Sequence, residues 1–315
     1  MSAVDHAPAP ISRAQIAHAR AQIAHAWVQQ SEITAPGRFA PLLDALPADF
    51  EGASSCVRGL VSHYVASRIP FSPERRAEAD ARWVEDILAT ILERDDAPLT
   101  EPREPVERFV GCCRDFTALT LAALRHHGVP ARSRVGFASY FGDGFWYDHV
   151  VVEYFDAGRW VRADAQLPPV LLGVDMRDLD ASPELYRSAS EVWLDFRAGR
   201  IDDEQILEHG AGPDLPFAGG YYVRNYVLLE LAHLAGVETL LWDTWGPMLT
   251  RPLRKDDDHA LVDRVAQTLL NRDVPRETLL ELLAETGLDP LGEVTISLSP
   301  GGAFQQPVSL RRTAA

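Results

Sequence analysis

Hydrophobic positions in this chain follow two periods, one helical and one alternating. Near the start, Ala14-Gln15-Ile16-Ala17-His18-Ala19 recurs as Ala21-Gln22-Ile23-Ala24-His25-Ala26, with Ile16 and Ile23 in register. That repeat predicts a helix that lays one apolar stripe on a partner. Two copies fall short of the three or four heptads of a coiled coil, and His18 and His25 read as surface positions. Residues 54–68 and 74–94 also read as helices. The second opens on Ser72-Pro73-Glu74, an N-cap followed by proline at the first helical position, and its spacing of Trp83, Ile87 and Ile91 marks a core face. Residues 113–127 predict a helix that buries Phe116, Leu119 and Leu124 and stops at Gly128 and Pro130. The period then shortens. Residues 132–138, 150–155 and 160–163 read as strands, and Asp156-Ala157-Gly158 reads as a hairpin turn. Beyond residue 164, segments 180–198, 202–208, 258–270 and 276–285 read as helices, and residues 221–234 as a buried apolar stretch. The fold class these elements imply is α+β. Its layout is a loose segment at 1–12, a helical region at 13–105, a mixed core at 106–167, a helical region at 168–296 and a loose tail at 297–315.

Charge narrows the function classes. With 46 acidic and 30 basic side chains the 315-residue chain carries a formal −16, which argues against non-specific binding to nucleic acid or to an anionic membrane. Its one lysine, Lys255, lies in the run Arg254-Lys255-Asp256-Asp257-Asp258. That run reads as solvated loop, with no Schiff-base role and no calcium-loop spacing. No apolar run approaches the roughly 20 residues of a membrane helix, and residues 1–11 show no secretory leader pattern. Three cysteines, Cys56, Cys112 and Cys113, are too few for a disulfide framework and suit a reducing compartment, so a cytoplasmic location is expected.

The chemistry gathers around the predicted central helix. Gly111-Cys112-Cys113-Arg114-Asp115-Phe116 places a cysteine where that helix begins. A thiol attacks carbonyls as thiolate, and a helix N-terminus and a neighbouring histidine both lower its pKa. His149 opens one strand and Asp164 closes the next, 15 residues later, with the predicted turn between them. In an antiparallel hairpin such residues can face each other at about 5 Å between Cα atoms, so the aspartate can fix the histidine's tautomer. Adjacent helical positions diverge by about 100°, so only one of Cys112 and Cys113 can face the histidine. A zinc site from Cys112, Cys113, His126 and His127 lacks paired Cys-x-x-Cys spacing. Arg114 and Asp115 read as structural, and Asp148 should point away from His149. Trp242-Asp243-Thr244-Trp245-Gly246 reads as core or a contact between regions.

Four segments in order resemble the transglutaminase-like superfamily of papain-fold cysteine enzymes. They are Gly111-Cys112-Cys113-Arg114-Asp115-Phe116-Thr117, Leu124-Arg125-His126-His127-Gly128-Val129-Pro130-Ala131-Arg132, Asp148-His149-Val150-Val151-Val152-Glu153 and Gly158-Arg159-Trp160-Val161-Arg162-Ala163-Asp164. The resemblance covers residues 106–167. It implies a papain-like core, a nucleophile helix packed on an antiparallel sheet, with helical additions on both sides. It also implies Cys113, which directly precedes Arg-Asp-Phe, as nucleophile, His149 as base and Asp164 as orienter. The implied reaction is cysteine-dependent hydrolysis or acyl transfer on an amide, peptide-like or thioester carbonyl, without metal or other cofactor. A module that keeps the triad without catalysis is the alternative. Val150-Val151 stands where the family has alanine then tryptophan, and Ala165-Gln166 where it has proline then threonine, so the cleft walls differ. Tyr140, Trp146, Trp160 and Gln166 are the candidate substrate contacts, and the aromatic, glycine-containing loop 140–147 is a candidate lid or wall. The expected partner is a peptide or amide-containing substrate. The sequence leaves the oligomeric state open.

Overall fold

The computed structural model describes residues 12–142, 144–249, 259–286, 288–292, 294–302 and 305–312. The segment 1–11 and the charged run around Lys255, both singled out above, lie outside the described residues.

In chain order the helices are α1 (Arg13–Ala24), α2 (Phe50–Leu60), α3 (Pro73–Arg76), α4 (Val84–Arg94), α5 (Cys113–His126), α6 (Ala189–Arg197), α7 (Gly220–Ala235), α8 (Ala260–Leu270) and α9 (Arg276–Thr286). The strands used below are β1 (Val61–His63), β2 (Phe109–Gly111), β3 (Ala131–Ala138), β4 (Trp146–Asp156), β5 (Arg159–Ala163), β6 (Val170–Leu171), β7 (Val174–Asp175), β8 (Tyr186–Ser188) and β9 (His209–Gly210). The main sheet runs β5-β4-β3-β8, antiparallel throughout, and β9 pairs parallel to the start of β4. Ala157 and Gly158 both take positive φ, 47° and 82°, as a tight primed hairpin turn requires. Gly136 lets β8 close on β3, because a Cβ there would stand 2.1 Å from the Arg187 carbonyl oxygen.

Two helices sit at the centre. Every residue from Cys113 to Arg125 in α5 is buried, as is every residue from Val223 to Ala235 in α7, the signature of helices covered on all sides. One core joins α5 to α2, α4, Val152 and Ala163. Another joins α6, α7, α8 and α9 to Val135, Phe137 and Val150. The fold is therefore α+β, with α5 packed on an antiparallel sheet and helices around it.

Several elements differ from the periodicity. The segment expected to be helical to residue 68 turns into β1 after Leu60, because Val61 and His63 pair in parallel with Phe109 and Gly111, a partner no local pattern announces. The expected helix 74–94 breaks at residues 81–83. There the Arg114 guanidinium takes the Ala81 and Arg82 carbonyls that a continuous helix would consume. The expected helix from residue 180 yields to β8, which is recruited by β3. The described part of the expected tail is ordered by partners: Thr295–Ser297 and Gln306–Val308 pair as strands, and Arg312 binds Glu85 and Asp86. The α1 stripe docks only through its second half, since Ile16 is 45% exposed while Ile23 packs on the core. Trp245 is buried with its indole N–H on the Leu288 carbonyl at 2.8 Å, and Arg82 grips Asp243 through two bonds of 2.7 and 3.0 Å. The Trp-Asp-Thr-Trp-Gly cluster thus ties the N-terminal helices to the C-terminal ones.

Candidate active site

The start of α5 is held before any chemistry is placed on it. Cys112 is the N-cap in extended conformation, and its backbone N–H donates to Asp115 Oδ2 at 2.8 Å. Arg114 bonds Asp115 Oδ1 at 3.0 Å and the Glu238 carbonyl at 2.7 and 3.0 Å. This network fixes the first helical residue, Cys113, whose own N–H meets no acceptor among the described residues and is one of the orphan donors of a helix start.

β4 carries His149 to that point. Its Nε2 stands 2.8 Å from Asp164 Oδ2, so Nδ1 is the nitrogen left for the hydrogen bond with the Cys113 sulfur. The hairpin does not set His149 and Asp164 directly opposite. Val152 pairs with Ala163, so Asp164, one step on, lies level with Val151. The contact is a diagonal one on a shared face, within reach of the long imidazole. Asp164 is itself saturated: Oδ2 also accepts from the Tyr140 hydroxyl at 2.8 Å, and Oδ1 from the backbone N–H groups of Gln166 and Leu167 at 2.7 and 3.2 Å.

These contacts set the charge state. A hydrogen bond from the Cys112 thiol is the largest influence on Cys113. Burial opposes it, and the hydrogen bond and charge of His149 add to it, so the Cys113 thiol is held well below the ordinary thiol range. Cys112 moves the other way, raised by that same bond and by burial. Burial alone would lower His149, but the Asp164 carboxylate and Cys113 outweigh it and push the imidazole up to about 10. Burial would raise Asp164, yet the charge and hydrogen bond of His149 and the Tyr140 hydroxyl keep it below its usual value. A lowered thiol, a raised imidazole and a lowered carboxyl thus come together at the start of α5.

Residues 64–165 match the model of the Transglutaminase-like superfamily. This chain carries a domain of that superfamily. A crystal structure from Cytophaga hutchinsonii, described as a "Putative Cysteine Protease", is 20% identical and aligns over 51% of this chain and 49% of that chain with a TM-score of 0.31. The match thus spans about half of each chain. No curated protein matches.

Around Cys113, the four candidate substrate contacts take different places. Tyr140 is buried and acts on Asp164. Trp146 is half-buried and stacks on His209 at 5.5 Å. Trp160 lies in the core, edge-on to Trp27 and with the Arg132 guanidinium 3.8 Å from its ring centre, which leaves it no open face. Gln166 is half-buried beside Asp164, and its Oε1 has no hydrogen-bond partner among the described residues. Phe141, within the loop 140–147 expected as a lid or wall, stands edge-on to His149 at 5.2 Å and is 39% exposed, so it forms an apolar wall beside that imidazole. Asp148 turns away from His149 toward α7. Its Oδ2 accepts from the hydroxyls of Tyr222, at 2.9 Å, and Tyr226, and burial, the largest influence, pushes its carboxyl up to about 6. His126 and His127 lie at the far end of α5 from the cysteines, bonded to Asp44 and to the Leu43 carbonyl. Among the described residues no helix is long and apolar enough to cross a membrane.

A second histidine escaped the sequence reading. His63 ends β1 in register with Gly111, close enough for its ring to be coupled electrostatically to both Cys113 and His149. Its only possible signal was the isolated Ser62-His63-Tyr64, which carries no motif.

Proposed function

We propose that this chain is a cysteine-dependent enzyme that cleaves or exchanges an amide, peptide-like or thioester bond through Cys113, His149 and Asp164. The observation that carries the reading is the paired sulfur and imidazole at the start of α5, beside an unused Cys113 N–H. The thiolate attacks the carbonyl carbon and forms a C–S bond, and the carbonyl oxygen takes the negative charge toward that N–H. His149 then passes its Nδ1 proton to the departing amine or thiolate as the C–N or C–S bond breaks, which leaves an acyl-enzyme. A water or an amine, deprotonated by His149, attacks the acyl carbon and expels the Cys113 thiolate. Asp164 keeps the imidazole oriented in both halves.

Acylation by p-nitrophenyl acetate, followed by intact-mass and peptide analysis, tests this. The expected result is one acetyl group per chain on Cys113, absent in Cys113→Ala with the circular dichroism spectrum unchanged. Faster loss of the acetyl group with added glycinamide marks transfer to an amine; an unchanged rate marks hydrolysis. Slow, equal modification of Cys56, Cys112 and Cys113 would instead indicate a non-catalytic module.

A further inference from the structure

Two histidines are coupled electrostatically to Cys113, and their hydrogen bonds assign them opposite roles. His149 has Nε2 engaged by Asp164 and a nitrogen free for the sulfur. In His63 the Nδ1 atom accepts from the backbone N–H groups of both Val65 and Ala66, each at 3.1 Å. A nitrogen that receives two N–H donors carries no proton, so the ring's hydrogen sits on Nε2. His63 therefore has no lone pair to offer the nucleophile and cannot serve as its base. What it offers is one N–H, and Nε2 meets no acceptor among the described residues.

Its placement is fixed from the backbone. Besides the β1–β2 register of His63 with Gly111, the Tyr64 N–H donates to the Gly111 carbonyl at 2.9 Å. Gly111 leads directly into Cys112 and Cys113, so the ring stands beside the nucleophile turn. Tyr64 stacks on it with ring centres 5.0 Å apart and planes 14° from parallel, which covers one face and holds the ring. His63 is only half-buried. We propose that His63, through Nε2–H, is the side-chain donor of the oxyanion hole and completes it together with the Cys113 N–H. This rests on the catalytic reading above. Burial, chiefly, lowers its pKa to about 4, so the ring stays a neutral donor across the working range and adds no second cation to the thiolate–imidazolium pair.

Two probes of the same sulfur separate this role from any effect on the thiolate. Attack on p-nitrophenyl acetate passes through an oxyanion; alkylation by iodoacetamide does not. In His63→Ala the acetylation rate of Cys113 is expected to fall about 10²–10³-fold, the usual loss for one oxyanion donor, while alkylation at pH 7 stays within about threefold of the unaltered protein, since the thiolate itself is intact. His63→Gln, which restores an N–H near Nε2, should recover most of the acetylation rate, and it also serves if the alanine variant does not fold. A parallel fall of both rates would overturn the proposal and place His63 on the thiolate; an unchanged acetylation rate would overturn it outright. Slow alkylation of Cys113 in the unaltered protein would overturn the triad reading instead.

Discussion

β4 carries two buried ionisable residues on one face, two pleats apart, and they have opposite fates. Glu153 is surrounded. Its Oε2 accepts from Arg132 and Arg134, both at 2.8 Å, and its Oε1 accepts from Arg162 at 3.3 Å and is ion-paired with Arg272 at 3.1 Å. Burial pushes this carboxyl up, but Arg134, Arg132, Arg272 and Arg162 together hold it well below the usual carboxylate range. Every lone pair is spoken for, and the group can only hold the sheet to α7, where Arg134 also bonds Glu230 at 2.7 Å. His149 is held as firmly, but on one nitrogen only. Its other nitrogen faces a sulfur that can change partner. Both sites are built from buried charge with matched partners; they differ in that one partner of His149 is a sulfur that can exchange it for another.

Changes at each end should therefore fail in different ways. The largest expected effect is on rate. Asp164→Asn keeps the shape but removes the carboxylate that fixes His149, and should lower Cys113 acetylation by about 10⁴-fold, as tautomer loss does in other triads, with little change in thermal midpoint. A similar loss of both would erase the distinction between the two ends. Next comes stability. Glu153→Ala strands Arg132 and Arg134 in the interior and should cost about 3–5 kcal/mol of unfolding free energy, read by urea titration, while the folded fraction still acetylates at Cys113. The smallest effect sharpens the comparison. Tyr140→Phe removes one of four bonds to Asp164, a hydrogen bond to a charged group worth about 1.5–3 kcal/mol. Because three bonds remain, the acetylation rate should fall by only about tenfold.

The two ends were also unequally legible in the sequence. The triad is local in sequence logic: a helix start, a hairpin and its flanking residues, all within one run of the chain. Even so, the register fell one pleat from direct opposition, because it depends on where the Ala157-Gly158 turn sits. The arginine cage was unreadable, since Arg132, Arg134, Arg162 and Arg272 look like solvated charge until α7 and the segment after α8 close over them. His63 was hidden for a similar reason. Its place comes from a three-residue parallel pairing with β2, and its tautomer from two backbone N–H groups that no composition signals. Tyr140 was expected at the substrate and instead supports Asp164, a choice made by loop packing alone.

The central claim is that Cys113 exists as a thiolate beside a protonated His149, and the pH dependence of its alkylation by iodoacetamide tests it directly. Cys113 is lowered, so the thiolate persists as pH falls below the free-thiol value of about 8.5. His149 is raised to about 10, so its positive charge persists up to that pH. The account predicts a Cys113 rate already near its plateau at pH 6, changing again only as pH rises through about 10, with Cys56 and Cys112 slow throughout. A single rise centred near pH 8.5, shared by all three cysteines, would contradict it.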